Sequence, residues 1–337
     1  MRADQLADLA REIGLDVVGA ARPEPYEDTE RHIRERLELG YFADMRFTMA
    51  HPEVSCHPET LLPGARTVIS AALCYYAPNP QSGPAPKDGE GRLARYAWRD
   101  HYAELREKLD SLGRQLGGAY RVLVDANHHV DRAGAVRSGV GFSGKNTMLI
   151  TRNYGSWVVL GTLVTTMEIE PTPSLELDCG SCRLCIDACP TDAIVEAGVI
   201  DARLCLAYWL QAPHSIPEDV RADVGDQAYG CDICQDVCPW NRGVEKRRSG
   251  DALAADATPA VSLVDWLERD GQELVAEFDR LYVPKNDPRW LQRNALVALG
   301  NSGARRDVQV VERYAASDDD VLRDAAEWAL AQIAERV

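Results

Sequence analysis

Residues 179–190 read CGSCRLCIDACP and residues 231–239 read CDICQDVCP; with Cys205 they hold eight of the chain's ten cysteines. The first run is C-x2-C-x2-C-x3-C-P, the spacing of bacterial-type ferredoxins, in which three closely spaced thiolates wrap one 4Fe–4S cubane. The proline that follows lacks an amide hydrogen and pins the chain as it leaves the cluster. The second run repeats the pattern with its first cysteine displaced: Cys205 takes that place, and 25 residues intervene before Cys231. Eight thiolates match two 4Fe–4S clusters. In paired motifs of this kind the fourth cysteine of each run ligates the other cluster. The spacing therefore assigns Cys179, Cys182, Cys185 and Cys238 to cluster 1, and Cys189, Cys205, Cys231 and Cys234 to cluster 2.

Two other uses of grouped cysteines fit less well. Zinc sites favour two C-x-x-C pairs with one gap, without a third regularly spaced thiolate or Cys-Pro endings. Disulfide frameworks suit short secreted chains. This chain has 337 residues, and its first stretch, MRADQLADLAREIG, is charged throughout and has no apolar signal core. The most apolar segment, Trp157 to Met167, is too short to span a bilayer. These features predict a cytoplasmic protein without a membrane partner. The length allows two or three domains. With 53 acidic against 37 basic side chains and a net charge of −16, nonspecific binding to nucleic acid is disfavoured. A local basic face is not excluded.

The chain before the cysteines mixes helices and strands. Leu6, Leu9 and Ile13 at helical spacing predict a helix over 3–13, ended by Gly14, then a short buried strand over 15–20. A charged helix is expected from Thr29 to Gly40, and Thr67 to Tyr75 reads as a strong strand after the Pro63-Gly64 turn. Cys74 in that strand reads as a buried small hydrophobe. Cys56, in SCHP, reads as an exposed thiol with no partner set of ligand spacing. Residues 77–91 are rich in Pro and Gly and predict a loop. An amphipathic helix is expected from Arg95 to Leu116, a strand from Tyr120 to Val124 and a helix from Val130 to Arg137. Strands at Thr147–Thr151 and Ser156–Thr166 complete an α/β or α+β block over residues 1–168.

Two features of this block need weighing. Gly139, Gly141 and Gly144 spell G-x-G-x-x-G, but that phosphate-binding motif requires a strand before the glycines and a helix after them. Here a helix-like stretch precedes and a β-rich one follows, so the glycines read as places where backbone passes close to a bulky ligand or a neighbouring strand. Asp125, after a strand, reads from its residue type alone as a turn or helix-capping residue.

Five stretches carry a family resemblance: LLPGARTVI (61–69), RYAWRDHY (95–102), VDANHHVDRAGAVRSGVGFSGKNTMLI (124–150), YGCDICQDVCPWN (229–241) and RWLQRNALVALGN (289–301). Together they resemble the epoxyqueuosine reductases, from the N-terminal helix to about residue 301. That family reduces the epoxide of epoxyqueuosine, at the wobble position of certain tRNAs, to the alkene of queuosine, using cobalamin and two 4Fe–4S clusters. Its N-terminal domain binds the corrin and is similar to the cobalamin domain of reductive dehalogenases. The chain agrees in having no D-x-H-x-x-G motif to offer cobalt a histidine, since His128 and His129 follow Asp125 at the wrong spacing. The resemblance implies that electrons pass through the clusters to low-valent cobalt, which attacks the epoxide. It also makes Asp125 the catalytic acid and a cofactor neighbour: ring opening leaves an alkoxide that must be protonated, and enclosure raises a carboxyl pKa. Lys145, Asn146, Thr147 and Leu149 are implied to lie along the corrin, with Asp232 and Gln235 meeting it from the cluster side. Ser55 departs from the family, whose members often carry a basic residue there. The competing readings are a corrinoid reductase of a small substrate, resembling the dehalogenases, and a ferredoxin-type electron carrier without catalysis.

Beyond Asn241 the chain becomes helical and charged. Segments 290–300, 307–316 and 320–335 are amphipathic, with Leu322, Ala325, Ala329 and Ile333 on one stripe, and resemble a HEAT-type repeat. Arg242, Lys246, Arg247, Arg248, Lys285, Arg289 and Arg293 form a basic concentration suited to the phosphates of a tRNA anticodon stem-loop, with Trp240 or Tyr282 available for stacking. The expected fold is therefore α+β and multidomain: an α/β cobalamin-binding domain (1–168), a ferredoxin-like two-cluster domain (169–243) and an α-helical HEAT-like region (244–337). An electron donor is required. Nothing demands more than a monomer.

Overall fold

The computed structural model describes residues 1–79 and 89–336. Its strands are β1 (Val17–Ala21), β2 (Thr67–Cys74), β3 (Glu90–Leu93), β4 (Tyr120–Val124), β5 (Phe142–Ser143), β6 (Leu149–Ile150), β7 (Val158–Thr165), β8 (Gln227–Tyr229) and β9 (Ala260–Ser262). The main sheet has the order β1-β2-β7-β4 and is antiparallel throughout. Its block is therefore α+β and not the parallel alternative. Strands β2 and β7 are buried at every position, because helices cover both faces. The helix His101–Leu116 lies where a Cβ on Gly161 would come within 2.5 Å of Leu109. On the other face, Ser70 approaches Gly134 of the helix Asp131–Arg137. Leu105, Leu109 and Leu112 are fully buried in this core, each stabilising it by roughly 1.5–3 kcal/mol.

The expected helix from Arg95 begins later. Asp100 caps it by accepting a hydrogen bond from the Ala103 N–H at 2.8 Å. Arg95–Ala97 forms a 3-10 turn instead, and the Arg95 side chain turns toward the second cysteine run. Residues 80–88 of the loop expected over 77–91 lie outside the described residues, while Glu90 and Gly91 belong to β3. The glycine motif has a helix before it and none directly after it, as foreseen: the helix Asp131–Arg137 precedes it, and β5, within the motif, pairs antiparallel with β6 beyond it as a hairpin. Gly141 permits that hairpin, because a Cβ there would sit 2.6 Å from the Ile150 carbonyl oxygen. Cys74 is buried, but so is Cys56, at 0% exposure; it packs with Tyr26, Ile33, Met49 and Val130, so the exposed reading of that thiol was mistaken.

A second sheet draws its three strands from distant parts of the chain. β3 pairs parallel with β8 and antiparallel with β9. Its core joins Leu93, Ala97 and Trp98 to Leu206, Leu210 and Tyr229, and to the helices Arg289–Ser302, Val308–Ala315 and Asp320–Arg336. The C-terminal layer thus extends beyond residues 244–337 and takes in the excursion between Cys205 and Cys231. Among the described residues no helix is long and apolar enough to cross a membrane.

Candidate active site and cluster centre

The two cysteine runs fold into short helical turns, Leu184–Asp187 and Ile233–Asp236, that pack against each other. Cys179, Cys182, Cys185 and Cys238 rim one cavity of about 100 Å³, completed by Lys145, Asn146, Ile150, Pro239 and Trp240. Ile150 and Trp240 give it apolar lining, and Phe142 packs with them, its ring edge to face with that of Trp240 at 5.1 Å. The other four thiols also gather. Burial raises the thiol pKa of Cys231 to about 12, and the charges of Cys205 and Cys189 add to the shift. Burial likewise raises Cys234, which feels Cys231, Cys205 and, from the first set, Cys185. Cys189, Cys205, Cys231 and Cys234 thus lie near one another and beside the first four. Among the described residues no three His, Cys, Asp or Glu side chains converge tightly enough for one metal ion. Four thiols around a cavity suit a cubane better than a tetrahedral ion. The Ala193 N–H donates to Cys189 Sγ at 3.3 Å.

The cluster loops are fastened to the main sheet by polar side chains. Gln235, 4% exposed, donates through Nε2 to the Ser156 carbonyl at 2.9 Å and to the Tyr75 hydroxyl at 3.0 Å. Asn241, fully buried, accepts the Ser156 N–H at 2.7 Å and donates to the Gln235 carbonyl at 2.7 Å. Gly155 is required beside it, since a Cβ would fall 1.9 Å from Asn241 Oδ1. Gln235 thus ties the second cysteine run to the main-sheet block, and the Leu149 side chain, 3% exposed, packs in the core of that block. Lys145 and Asn146 reach the cluster loops: Lys145 Nζ donates to the Gly180 and Cys182 carbonyls at 2.7 and 2.9 Å, and Asn146 Nδ2 to the Cys234 carbonyl at 3.4 Å. Thr147 follows them with φ +64.

Asp125 ends β4 with φ +49, a left-handed conformation uncommon outside glycine that often marks functional loops. Its side chain reaches solvent. Protein crowds it on its other sides and raises its pKa, against the lowering pull of Arg106. Burial also raises the Tyr102 and Tyr229 phenols, and each feels the Asp125 charge. Tyr96 feels Tyr229, Tyr102 and Asp232, completing a belt from the end of β4 to the second cysteine set. Tyr96, Tyr102, Asp131 and Asp232 keep some surface open to solvent, yet burial raises the pKa of each. Open surface on groups that protein otherwise encloses describes the wall of a hollow.

Asp232 stands on the cluster side of that hollow. Its Oδ2 accepts the Arg95 N–H at 2.8 Å, whereas its buried Oδ1 has no partner. Burial raises its pKa to about 6, with Arg95 opposing. The Arg95 guanidinium lies 4.8 Å from the Trp157 ring centroid and pairs with Asp236 at 2.8 Å. His129 does not face the hollow. It is 2% exposed, stacked edge-on to Tyr26, and both ring nitrogens lack partners.

The basic concentration divides. Arg242, Lys246, Arg247 and Lys285 are exposed, but Arg293 is 0% exposed and cannot touch a nucleic acid. Its guanidinium donates to the carbonyls of Ala212 at 2.7 Å, of Trp209 at 2.8 Å and of His214, and burial lowers its pKa to about 9. Arg289 pairs with Asp287 and Asp319. Tyr282 is 67% exposed, and its carbonyl accepts the Tyr229 hydroxyl at 3.0 Å.

Fold and pocket together define a two-cluster iron–sulfur oxidoreductase of mixed helix and sheet. Residues 178–241 match the 4Fe-4S double cluster binding domain, and residues 56–131 match the family model described as epoxyqueuosine reductase QueG, DUF1730. The chain is 31% identical to the epoxyqueuosine reductase of Lactococcus garvieae, covering 98% of this chain and 95% of that one. It is 33% identical to that of Xanthomonas campestris, over 98% and 96%. The epoxyqueuosine reductase structure from Streptococcus thermophilus superposes with a TM-score of 0.86 at 30% identity, over 98% of this chain and 90% of that one. An epoxyqueuosine reductase crystallised with an epoxyqueuosine-modified tRNA stem loop gives 0.87 at 31% identity, over 98% and 89%. The chain belongs to the epoxyqueuosine reductase family.

Proposed function

We propose that this chain reduces the epoxide of epoxyqueuosine in the wobble position of tRNA to queuosine, with two 4Fe–4S clusters and cobalamin as cofactors and Asp125 as proton donor. The observation that carries the reading is the belt of partly enclosed groups that runs from Asp125, a carboxyl of raised pKa, to Asp232 beside the second cysteine set. Forming the alkene consumes two electrons and two protons and releases the epoxide oxygen as water. Asp125 donates to that oxygen as the C–O bond breaks, and the partial burial that raises its pKa favours its protonated form. Cobalamin, when bound, supplies a low-valent cobalt that delivers electron density to the epoxide carbon. The residues present fit such a group because the buried Oδ1 of Asp232 is left without a partner, and a corrin amide would satisfy it. Asp125, Asp232 and Thr147 would be among the residues that hold it.

The eight cysteines divide between the clusters as their spacing assigns, and the set that includes Cys231 and Cys234 lies nearer the hollow. Residues 1–168 act as the cobalamin-binding catalytic domain, 169–243 as the cluster domain and 244–337 as the HEAT-like RNA-contacting region. Arg242, Lys246 and Arg247 meet the phosphates of the anticodon stem-loop, and Tyr282 offers its open ring to a splayed base. The protein works in the cytoplasm as a monomer served by a separate electron donor. The test is nucleoside analysis of epoxyqueuosine-containing tRNA after incubation with reduced, cofactor-loaded protein. Queuosine is expected from the wild type and not from Asp125→Ala, whose optical spectrum should retain clusters and corrin. Normal turnover by Asp125→Ala would overturn the reading.

A further inference from the structure

The β5–β6 hairpin belongs to the main-sheet block, yet its tip enters the cluster domain between the two cysteine sets. Lys145 occupies that tip. The Gly198 N–H donates to the Lys145 carbonyl at 2.9 Å, which fixes its backbone. Lys145 lines the cavity of Cys179, Cys182, Cys185 and Cys238, and its ammonium donates to the Gly180 and Cys182 carbonyls, in the loop that carries two of those cysteines, at 2.7 and 2.9 Å. Neighbouring Asn146 instead reaches the Cys234 carbonyl of the second set. Gly144 makes this tip possible, because a Cβ there would lie 2.6 Å from Asn146 Oδ1.

We infer that Lys145 sets the reduction potential of the cluster held by Cys179, Cys182, Cys185 and Cys238, holding it above the value its thiolates alone would give. Reduction adds one electron and hence one negative charge to that cluster, and no bond breaks. A positive charge at its rim stabilises the reduced form more than the oxidised one. Lys145 is half-buried, so water and salt screen it weakly. The carboxylate of Asp178, which accepts the Gly180 N–H at 2.6 Å, acts in the opposite sense but belongs to an exposed residue and is better screened. Cluster potentials respond to charge and hydrogen bonding around the sulfurs. Asn146, being neutral, leaves the second cluster without the same effect. The difference orders the two clusters along the electron path.

The inference rests on assigning the cavity to a cluster, and not on Asp125, corrin or tRNA. Its test needs none of them: an anaerobic dithionite titration of the full chain, reconstituted with iron and sulfide and followed by electron paramagnetic resonance. Lys145→Gln keeps a donor for the carbonyls but removes the charge; Lys145→Arg keeps the charge. The expected result is a shift of one cluster signal to more negative potential in Lys145→Gln, with the other unmoved and Lys145→Arg close to wild type. Unshifted potentials in a fully loaded Lys145→Gln protein would overturn the inference. So would loss of half the iron from both variants, which would make Lys145 an anchor of the loop and nothing more.

Discussion

Asn241 is the most exacting test of how the cluster domain is held. Replacing it with alanine removes an acceptor for the Ser156 N–H and a donor to the Gln235 carbonyl, each at 2.7 Å in a site fully closed to water. Neither orphaned backbone group can recruit solvent, and each costs roughly 1–3 kcal/mol when left buried and unpaired. The Ser156 hydroxyl, which accepts from Asn241 Nδ2 at 3.0 Å, keeps Gln235 as a second partner at 3.1 Å and softens the loss. A destabilisation of about 3 kcal/mol follows, concentrated at the joint between the second cysteine run and β7. Hydrogen exchange read by mass spectrometry on cluster-loaded protein should show faster exchange at Ser156 and across 235–241, with β1 unaffected. Iron should also leave faster under a chelator, because Cys238 lies three residues from the lost clamp. Asn241→Asp, which keeps the acceptor, should fall between. Wild-type exchange and iron retention in Asn241→Ala would refute the reasoning.

Three further outcomes follow from the same structure. If protonated Asp125 is the acid, single-turnover reduction should slow as pH rises through its raised pKa, and Asp125→Asn should lose about 10²–10⁴-fold in rate and that pH dependence with it. Burial lowers the pKa of His129 from 6.5 to about 4, so the unfolded chain takes up the proton first. The stability this represents, roughly 3 kcal/mol, is present above pH 6.5 and is lost as pH falls toward 4. Denaturant melts of His129→Leu should show a shallower acid dependence, with the remainder due to His101, lowered likewise to about 4 by burial; an unchanged slope would contradict this. Affinity for the tRNA stem-loop should fall linearly with the logarithm of salt concentration. Replacing Lys246 and Arg247 together should reduce that slope by about 1.5, and a flat salt response would remove the proposed patch.

What the sequence discloses here is what is short-ranged in chemistry. The cysteine spacing foretells that the eight thiols gather close to one another, because ligand geometry restricts which spacings can close around a cubane. The long strand at 67–74 is legible because both of its faces are apolar. Side chains whose partners lie far along the chain are not legible. Arg293 reads as a surface charge, yet a ring of backbone carbonyls from 209–214 takes its place in the core. Lys145, Leu149 and Gln235 sit in motifs whose resemblance implies a corrin, and those motifs gave no sign of the hydrogen bonds of Lys145 to the Gly180 and Cys182 carbonyls, of Gln235 to Ser156, or of the burial of Leu149. The signal that might have found Lys145 is its place in the sequence, a lone cation between tight glycines and a β-rich run. Cys56 had no such signal, since burial of a short SCHP segment depends on Tyr26 and Ile33 folding over it.

The sheet β8-β3-β9 has a consequence for synthesis. On the ribosome, residues 90–93 emerge long before residues 227–229 and 260–262, the segments they pair with among the described residues. Until then the Leu93–Trp98 stretch has no core to enter, and both cysteine runs pass by uncovered. The 90–98 segment must therefore wait for most of the chain. Folding of this kind is slow and dominated by distant contacts, and it leaves an interval in which thiols are accessible to whatever delivers iron and sulfide. Closure of the small sheet then fixes the 90–98 segment, with Arg95 against Asp232, only after the residues that carry the second cysteine set have arrived.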